Sequence, residues 1–230
     1  MEGHKQLSPH NPPVIGTTEL LGRRWLSESA FEVEFSRPQH FHFKAGHTIQ
    51  LVYQGQKRYY SLASAPGDPT MLLCVNFVEK GYFSPLLASV EIGFKLEFTG
   101  PCGYFNFSPS PRPPVFIATD TGIAPFVSMA QSGMRDFTLL HGARHAGELY
   151  YRNLLRQSAR TYLPVVWENP DEDHLSSGLF HGKMVNVLAQ NLKPGRYDFY
   201  LCGWQKMIKD VTQLIDDRFP GSYVYTEVFY

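Results

Sequence analysis

The sequence predicts two domains: an N-terminal antiparallel β-barrel and a C-terminal doubly wound α/β domain built on a parallel sheet. In the first half, short apolar and β-branched runs are separated by Gly, Pro and Asp clusters, which is typical of antiparallel strands. Residues 108–114 contain four prolines, which cannot donate backbone hydrogen bonds and therefore indicate a linker. Beyond it, strand-like runs alternate with amphipathic stretches. The predicted domains span residues 14–108 and 114–230.

The barrel half is predicted to contain a single short helix. Residues 82–90 follow Gly81 and place Leu86 and Leu87 on a helix-like patch, so this helix is expected to cap the barrel. The strand-like runs of this half are Phe31–Phe35, Thr48–Tyr53, Met71–Val78 and Lys95–Phe98.

The second half is predicted to fold as repeating strand and helix units. Residues 183–192 and 206–218 each carry apolar side chains on one helical face. Strands that alternate with helices pair in parallel through right-handed crossovers, and such sheets bind ligands beyond the carboxyl ends of their strands. The strand-like runs here are Val115–Ala118, Phe137–Leu140, Leu163–Trp167, Phe199–Cys202 and Tyr223–Phe229.

Composition argues against several classes of function. The chain has 21 basic and 21 acidic residues, so its net charge provides no general attraction for nucleic acid or an anionic membrane. No run of about 18 apolar residues occurs, so no membrane-spanning helix is expected. Residues 1–13 are polar and lack the blocks of a signal peptide, so we expect a disordered lead and a cytoplasmic protein.

The cysteine and histidine positions predict no metal site. Cys74, Cys102 and Cys202 lie far apart and form no CxxC pair, which argues against a zinc ribbon or a four-cysteine iron-sulfur cluster. Residues 40–47 contain three histidines, but no carboxylate or cysteine accompanies them at the spacing of metal ligands.

A candidate phosphate-binding turn follows the first strand of the second half. The segment Thr119–Pro125 contains Gly122 and precedes a helical stretch that ends near Gly133. A glycine lets the backbone approach an anion, and the start of a helix offers unpaired amide donors. This motif alone fits a pyrophosphate site and a tight strand-to-helix turn equally well.

A second candidate binding segment is Arg58–Ser61, at the end of a strand-like run. An arginine can pair with a phosphate, an aromatic side chain can stack on a planar ring, and a hydroxyl can hydrogen-bond a ring nitrogen. Taken alone, the same residue types are more typical of a solvated strand end.

The order of five motifs along the chain is more informative than any one of them. They are Arg58–Ser61, Gly81–Ser84, Gly100–Gly103, Thr119–Pro125 and the pattern Cys202-Gly203-x-x-x-Met207. In this order, followed by an aromatic carboxyl terminus, they resemble the ferredoxin-NADP reductase family of flavoenzymes over nearly the whole chain. The resemblance implies that the barrel binds FAD and that the α/β domain binds a nicotinamide dinucleotide.

The resemblance implies FAD-binding roles for several residues of the barrel. The residues concerned are Arg58, Tyr59, Tyr60, Ser61, Gly81 and Ser84. Arg58 is expected to contact the flavin phosphates, Tyr60 to lie against the flavin, and Ser61 to approach the ring nitrogen that accepts hydride. The Ser84 hydroxyl is expected to receive the pyrophosphate at the start of the short helix.

The resemblance likewise assigns nicotinamide-binding roles in the α/β half. The residues concerned are Thr119, Thr121, Gly122, Arg144, Cys202 and Gly203. The dinucleotide is expected to lie over Thr121 and Gly122, with its nicotinamide ring beside Cys202, which lines the pocket rather than acting as a nucleophile. A small buried structural role for this cysteine also stays open.

The choice between NADP and NAD is left open by the sequence. Arg144 lies about 20 residues beyond Gly122, where dinucleotide-binding folds distinguish a ribose hydroxyl from a 2′-phosphate, and it favours NADPH. Glu168 ends the next predicted strand, where its carboxylate would repel a phosphate. Lys183 could offset that repulsion.

The carboxyl terminus departs from the pattern of the plant-type members. Those members have one residue between a glutamate and the final tyrosine, whereas this chain has two between Glu227 and Tyr230. Either Phe229 or Tyr230 is therefore expected to stack on the flavin, and the reach of Glu227 toward the flavin is left open. The predicted catalytic residues are Ser61, Cys202 and Glu227.

The function implied by the resemblance is a flavin-dependent oxidoreductase. It would pass hydride from NAD(P)H to bound FAD and then electrons to a protein such as ferredoxin or flavodoxin, or to a small acceptor. Two alternatives stay open. One is a non-catalytic electron-transfer subunit or sensor, and the other is an NAD(P)H:flavin reductase that holds its flavin loosely.

Overall fold

The computed structural model describes residues 14–168 and 178–229, apart from the side chain of Phe229. The predicted N-terminal lead and Tyr230 lie outside the described residues. Within these ranges the chain forms two six-stranded sheets, the first antiparallel and the second parallel. The predicted fold class is therefore confirmed.

The first sheet curls into a barrel. Its elements are β1 (Val14–Trp25), β2 (Ala30–Ser36), β3 (Thr48–Tyr53), β4 (Gln56–Ser61), β5 (Thr70–Asn76), the helix α1 (Phe83–Ser89) and β6 (Lys95–Cys102). The strand order is β4-β3-β6-β1-β2-β5, and a bridge between Leu62 and Leu73 brings the two edge strands together. Side chains of alternating residues, such as Phe31, Val33 and Phe35 in β2, fill the interior.

The second sheet has the predicted doubly wound topology. Its elements are β7 (Pro114–Thr119), a 3-10 turn (Asp120–Ile123), α2 (Ala124–Gln131), β8 (Thr138–Ala143), a second 3-10 turn (Ala146–Glu148), α3 (Arg152–Ser158), β9 (Thr161–Val166), β10 (Phe180–His181), α4 (Met184–Asn191), β11 (Asp198–Trp204), α5 (Gln205–Arg218) and β12 (Tyr223–Phe229). The strand order is β10-β9-β8-β7-β11-β12. The order of strands therefore reverses between β7 and β11, and the switch point lies at their carboxyl ends.

The predicted helices bury the predicted faces. In α5, Met207, Ile208, Val211 and Ile215 are buried, and Leu214 packs against the same cluster. Within the described residues, no helix combines the length and the apolar character that a bilayer crossing requires.

One buried cluster contains residues from both halves of the molecule. Residues of the barrel, including Ala63 and Cys74, pack in the same cluster as Phe126 and Met129 of α2. The Ser128 hydroxyl of α2 donates a hydrogen bond of 2.6 Å to a barrel carbonyl oxygen, that of Ser64. Residues 103–113 connect the sheets without helix or strand, while the domain boundaries at 108 and 114 stay a prediction.

Two glycines allow the carboxyl ends of β7 and β11 to pack backbone against backbone. A Cβ at Gly122 would lie 2.6 Å from the carbonyl oxygen of Cys202. Gly203 has a φ of 128°, and a Cβ there would lie 2.8 Å from the carbonyl oxygen of Thr119. The amide of Trp204 donates a 3.0 Å hydrogen bond to the Thr119 hydroxyl. The two loops are therefore fixed to each other.

We expect Gly203→Ala to lower the free energy of unfolding by about 2 kcal/mol or more, because strain at positive φ and overpacking each cost about 1–3 kcal/mol. Urea unfolding curves measure this difference. Gly67→Ala is the control, since a Cβ at Gly67 would meet no heavy atom within 4 Å. Equal unfolding midpoints for the two variants would contradict the packing argument.

Candidate functional site

The candidate site lies at the switch point, where the first turn of the α/β half meets the end of β11. The space beside Gly122 is taken by the backbone of Cys202 and Gly203. The glycine is therefore required by the packing of two protein segments, which favours the tight-turn interpretation of this residue. The neighbouring Thr119 and Thr121 are buried in the same turn.

The three predicted catalytic residues converge on one carboxylate. Glu227 in β12 pairs in register with Cys202 in β11. The Ser61 hydroxyl, at the end of β4, donates a 2.7 Å hydrogen bond to Oε2 of Glu227. The Cys202 thiol donates to the same oxygen at 3.9 Å, a long contact. A barrel residue and two residues of the parallel sheet thus form one cluster, in which the Glu227 carboxylate contacts Ser61. The reach of Glu227 toward the flavin stays a prediction.

Burial dominates the electrostatics of this cluster. It raises the pKa of Glu227, and the hydrogen bonds from Ser61 and Cys202 lower it by less. Burial, together with the Glu227 carboxylate, raises the pKa of the Cys202 thiol well above its usual value. Cys202 is fully buried, so its sulfur stays protonated at neutral pH and lines the site rather than acting as a thiolate.

The edge strand β4 leads from the surface into this cluster. Arg58 and Tyr59 are exposed, Tyr60 is half-buried, and Ser61 is 3% exposed. Burial raises the pKa of Tyr60, so its phenol stays neutral. A guanidinium and two phenol rings therefore precede the Ser61 hydroxyl along β4. The guanidinium is suited to a phosphate group, and the aromatic rings are suited to a planar ring.

The turn before α1 uses its serine for internal hydrogen bonds. The Ser84 hydroxyl accepts a 2.9 Å hydrogen bond from the amide of Val78 and donates a 3.2 Å bond to its carbonyl oxygen. The amide of Gly81 donates to the same carbonyl oxygen at 2.8 Å. The Ser84 side chain is buried and stabilises the turn in this structure, and the first turn of α1 has no side-chain cap.

Arg144, which the sequence associates with a 2′-phosphate, is paired with an acid. Its guanidinium forms an ion pair with Glu168, and the other carboxylate oxygen of Glu168 lies 3.1 Å from Nε2 of His145. All three side chains are exposed or half-exposed at the ends of β8 and β9. From the sequence, Arg144 and Glu168 are expected to have opposite effects on a 2′-phosphate. In the structure the two side chains are in direct contact.

Sequence reasoning missed two residues at the mouth of the site. Trp204 ends β11 and is 56% exposed. Asp120 follows Thr119 and has a φ of 51°, and burial together with the charge of Glu148 raises its pKa to about 6. Trp204 could have been found from the sequence, because it directly follows the Cys202-Gly203 pair. The backbone conformation of Asp120 could not, because no feature of the sequence indicates it.

Two family models match the chain, one to each half. The model described as an oxidoreductase FAD-binding domain matches residues 20–107, and the one described as an oxidoreductase NAD-binding domain matches residues 116–213. The chain belongs to the ferredoxin-NADP reductase-like family of FAD- and NAD-binding oxidoreductases. Its predicted cofactors, FAD and a nicotinamide dinucleotide, are those of this family.

Curated relatives within this family include two electron-transfer proteins. Ferredoxin--NADP reductase B of Sorangium cellulosum is 39% identical over 154 residues, covering 61% of this chain and 63% of the relative. The toluate 1,2-dioxygenase electron transfer component of Pseudomonas putida is 28% identical over 219 residues, covering 88% of this chain and 64% of the relative. The chain thus spans just under two thirds of the length of both relatives.

Solved structures share the fold over nearly the whole chain. A cytochrome P450 reductase from Amycolatopsis has a TM-score of 0.83 at 26% identity, covering 96% of this chain and 71% of that one. A ferredoxin NADP+ reductase from Neisseria gonorrhoeae, with bound FAD and NADP, has a TM-score of 0.79 at 23% identity, covering 94% and 99%. The second likeness concerns the fold alone.

We expect Ser61→Ala to slow flavin reduction by NAD(P)H about tenfold, the effect of losing about 1.4 kcal/mol, while FAD stays bound. The alanine removes the hydrogen bond that stabilises the Glu227 carboxylate, so the pKa of Glu227 also rises further. Anaerobic stopped-flow absorbance across a pH series measures both effects. Ser89→Ala, at the exposed end of α1, is the control. Unchanged kinetics and an unchanged pH profile in Ser61→Ala would remove Ser61 from the reaction.

Proposed function

We propose that this chain takes a hydride from NADPH or NADH onto FAD and passes the electrons to a separate protein such as ferredoxin or flavodoxin. The observation that carries the proposal is the convergence of Ser61, Cys202 and Glu227 from the two halves at the switch point. Bound FAD supplies the capacity to accept two electrons together and release them one at a time.

Each residue of the cluster has a task in this proposal. Ser61 supplies a hydroxyl beside the reacting ring, and Glu227 orients that hydroxyl and can hold a proton. Cys202 lines the place of the nicotinamide ring with a neutral thiol. Ser61 and Cys202 are both buried, so these two side chains are themselves shielded from water.

Arg58 and the first turn of α1 are proposed to hold the phosphates of FAD. Arg58 lies on the exposed part of β4, and the α1 turn has no side-chain cap on its amides. Tyr59 and Tyr60 supply the aromatic surface next to them. On the nicotinamide side, the residues proposed are Thr119, Thr121, Gly122, Arg144, Cys202 and Gly203.

The relatives support a protein acceptor. Their names describe a ferredoxin-NADP reductase and an electron transfer component of a dioxygenase, and a structural neighbour is a cytochrome P450 reductase. We therefore infer that the natural acceptor is a redox protein with its own iron-sulfur, flavin or haem group.

The visible spectrum of the purified protein tests the proposal directly. We expect flavin absorbance that bleaches anaerobically when NADPH or NADH is added, because the residues proposed for the flavin and for the nicotinamide meet at the cluster. Flavin colour that persists with both nicotinamides would support a non-catalytic subunit or sensor instead. Colour removed by simple dialysis would support a flavin reductase, and no colour after FAD reconstitution would refute the FAD site.

The ion pair between Arg144 and Glu168 sets the nicotinamide preference in this proposal. We expect Glu168→Gln to lower the KM for NADPH about 3- to 10-fold and to leave the KM for NADH within about twofold, because the Glu168 charge opposes a 2′-phosphate. Steady-state kinetics with both nicotinamides measure the ratio. Asp136→Asn removes the same charge from an exposed pair with Arg160 and is the control. An equal change for both nicotinamides would contradict this role.

A further inference from the structure

Trp204 combines a fixed backbone with an exposed indole. Its amide is hydrogen-bonded to Thr119, and the preceding Gly203 packs against the same threonine. The indole is nevertheless 56% exposed. A large aromatic side chain held on a rigid backbone and left open to solvent is typical of a contact residue for a planar ligand.

The register of β11 and β12 relates Trp204 to the reacting cluster. Cys202 pairs with Glu227, and two residues further along the same strands Trp204 pairs with Phe229. Two strand residues span about 7 Å, so the backbone of Trp204 lies about 7 Å from that of Cys202, beside which the nicotinamide is proposed to lie. An indole side chain is long enough to cross that distance. Trp204 thus lies at the entrance to the site.

Trp204 is also the residue from which α5 begins. The first turn of α5 has no side-chain cap, so backbone amide donors lie beside the indole. A ring with an adjoining phosphate could therefore meet an aromatic face and amide donors together. The nicotinamide mononucleotide half of NAD(P) has both parts.

From this arrangement we propose that Trp204 stacks on the nicotinamide ring and binds its oxidised, cationic form more tightly than its reduced, neutral form. Tryptophan has the aromatic face that attracts cations most strongly, and only the oxidised nicotinamide carries a positive charge. Trp204 is thus a binding residue that favours the product of hydride transfer. This inference rests on the proposed function, since it takes NAD(P)H as the hydride donor.

The test is the affinity of the FAD-containing protein for each form of the nicotinamide. The dissociation constant of NADP+ or NAD+ is measured from the change in the flavin absorbance band. That of NADPH or NADH is measured from the concentration dependence of anaerobic flavin bleaching. We expect Trp204→Leu to weaken the oxidised form about 3- to 10-fold and the reduced form less than about threefold. Trp204→Phe, which keeps an aromatic face, is expected to restore most of the difference.

Two controls separate this role from a structural one. Trp25→Leu replaces another half-exposed tryptophan, which packs on Phe31 and Phe77 of the barrel, and is expected to change neither affinity. FAD content and the unfolding midpoint show whether Trp204→Leu and Trp204→Phe are folded. If Trp204→Leu is not folded, Trp204→Met, which also lacks an aromatic face, carries the test, and a weakened affinity for the oxidised form alone supports the proposal.

Other outcomes overturn the proposal. Unchanged affinities in the folded variant without an aromatic face, or an equal loss of affinity for both forms, would show that Trp204 does not distinguish the charged ring from the neutral one. Flavin in the wild-type protein that neither nicotinamide bleaches would refute the proposed function itself, whereas normal bleaching with a Trp204-independent affinity ratio would refute only this inference.

Discussion

The backbone contact between the carboxyl ends of β7 and β11 determines where the rest of the site lies. Gly122 rests against the Cys202–Gly203 peptide because neither glycine has a side chain to separate the two strand ends. Thr119 then accepts the amide hydrogen bond of Trp204, which fixes the two loops in one arrangement. Since β12 pairs with β11 in register, the same contact also sets the position of Glu227.

The partial burial of Glu227 is tolerated because a hydroxyl from the other half of the molecule donates a hydrogen bond to it. A partly buried carboxylate without a partner would be destabilising, so the Ser61 hydrogen bond both stabilises the carboxylate and links the barrel to the parallel sheet. Burial still outweighs this bond, so the pKa of Glu227 remains raised. The residue can therefore change its protonation state more readily near neutral pH than an exposed glutamate.

The positive charge of Arg144, which is proposed to meet the dinucleotide, is offset by a neighbouring acid. Arg144 is paired with Glu168, and Asp120 introduces a second acid close to the first turn. A pyrophosphate is therefore expected to depend more on backbone amides than on guanidinium groups. In such a site, aromatic contact with the ring is expected to contribute a larger share of the binding free energy, which is the role proposed for Trp204.

The sequence by itself determined the fold class and most of the elements, because hydrophobic period and turn residues are local properties. The predicted strand Tyr223–Phe229 agrees with β12, and the apolar face of α5 is the buried face. β1 was missed because its glycines and charged residues interrupt the alternation, and β10 because it has only two residues.

The order of motifs along the chain indicated the cofactors without showing how side chains meet. Only the tertiary structure decided that Glu227 reaches Ser61 across 166 residues, that Ser84 bonds to its own turn, and that Arg144 is neutralised by Glu168. Such contacts depend on strand order, on register and on the depth at which two sheets pack. Those quantities are set by many weak contacts together, and no short segment of sequence carries them.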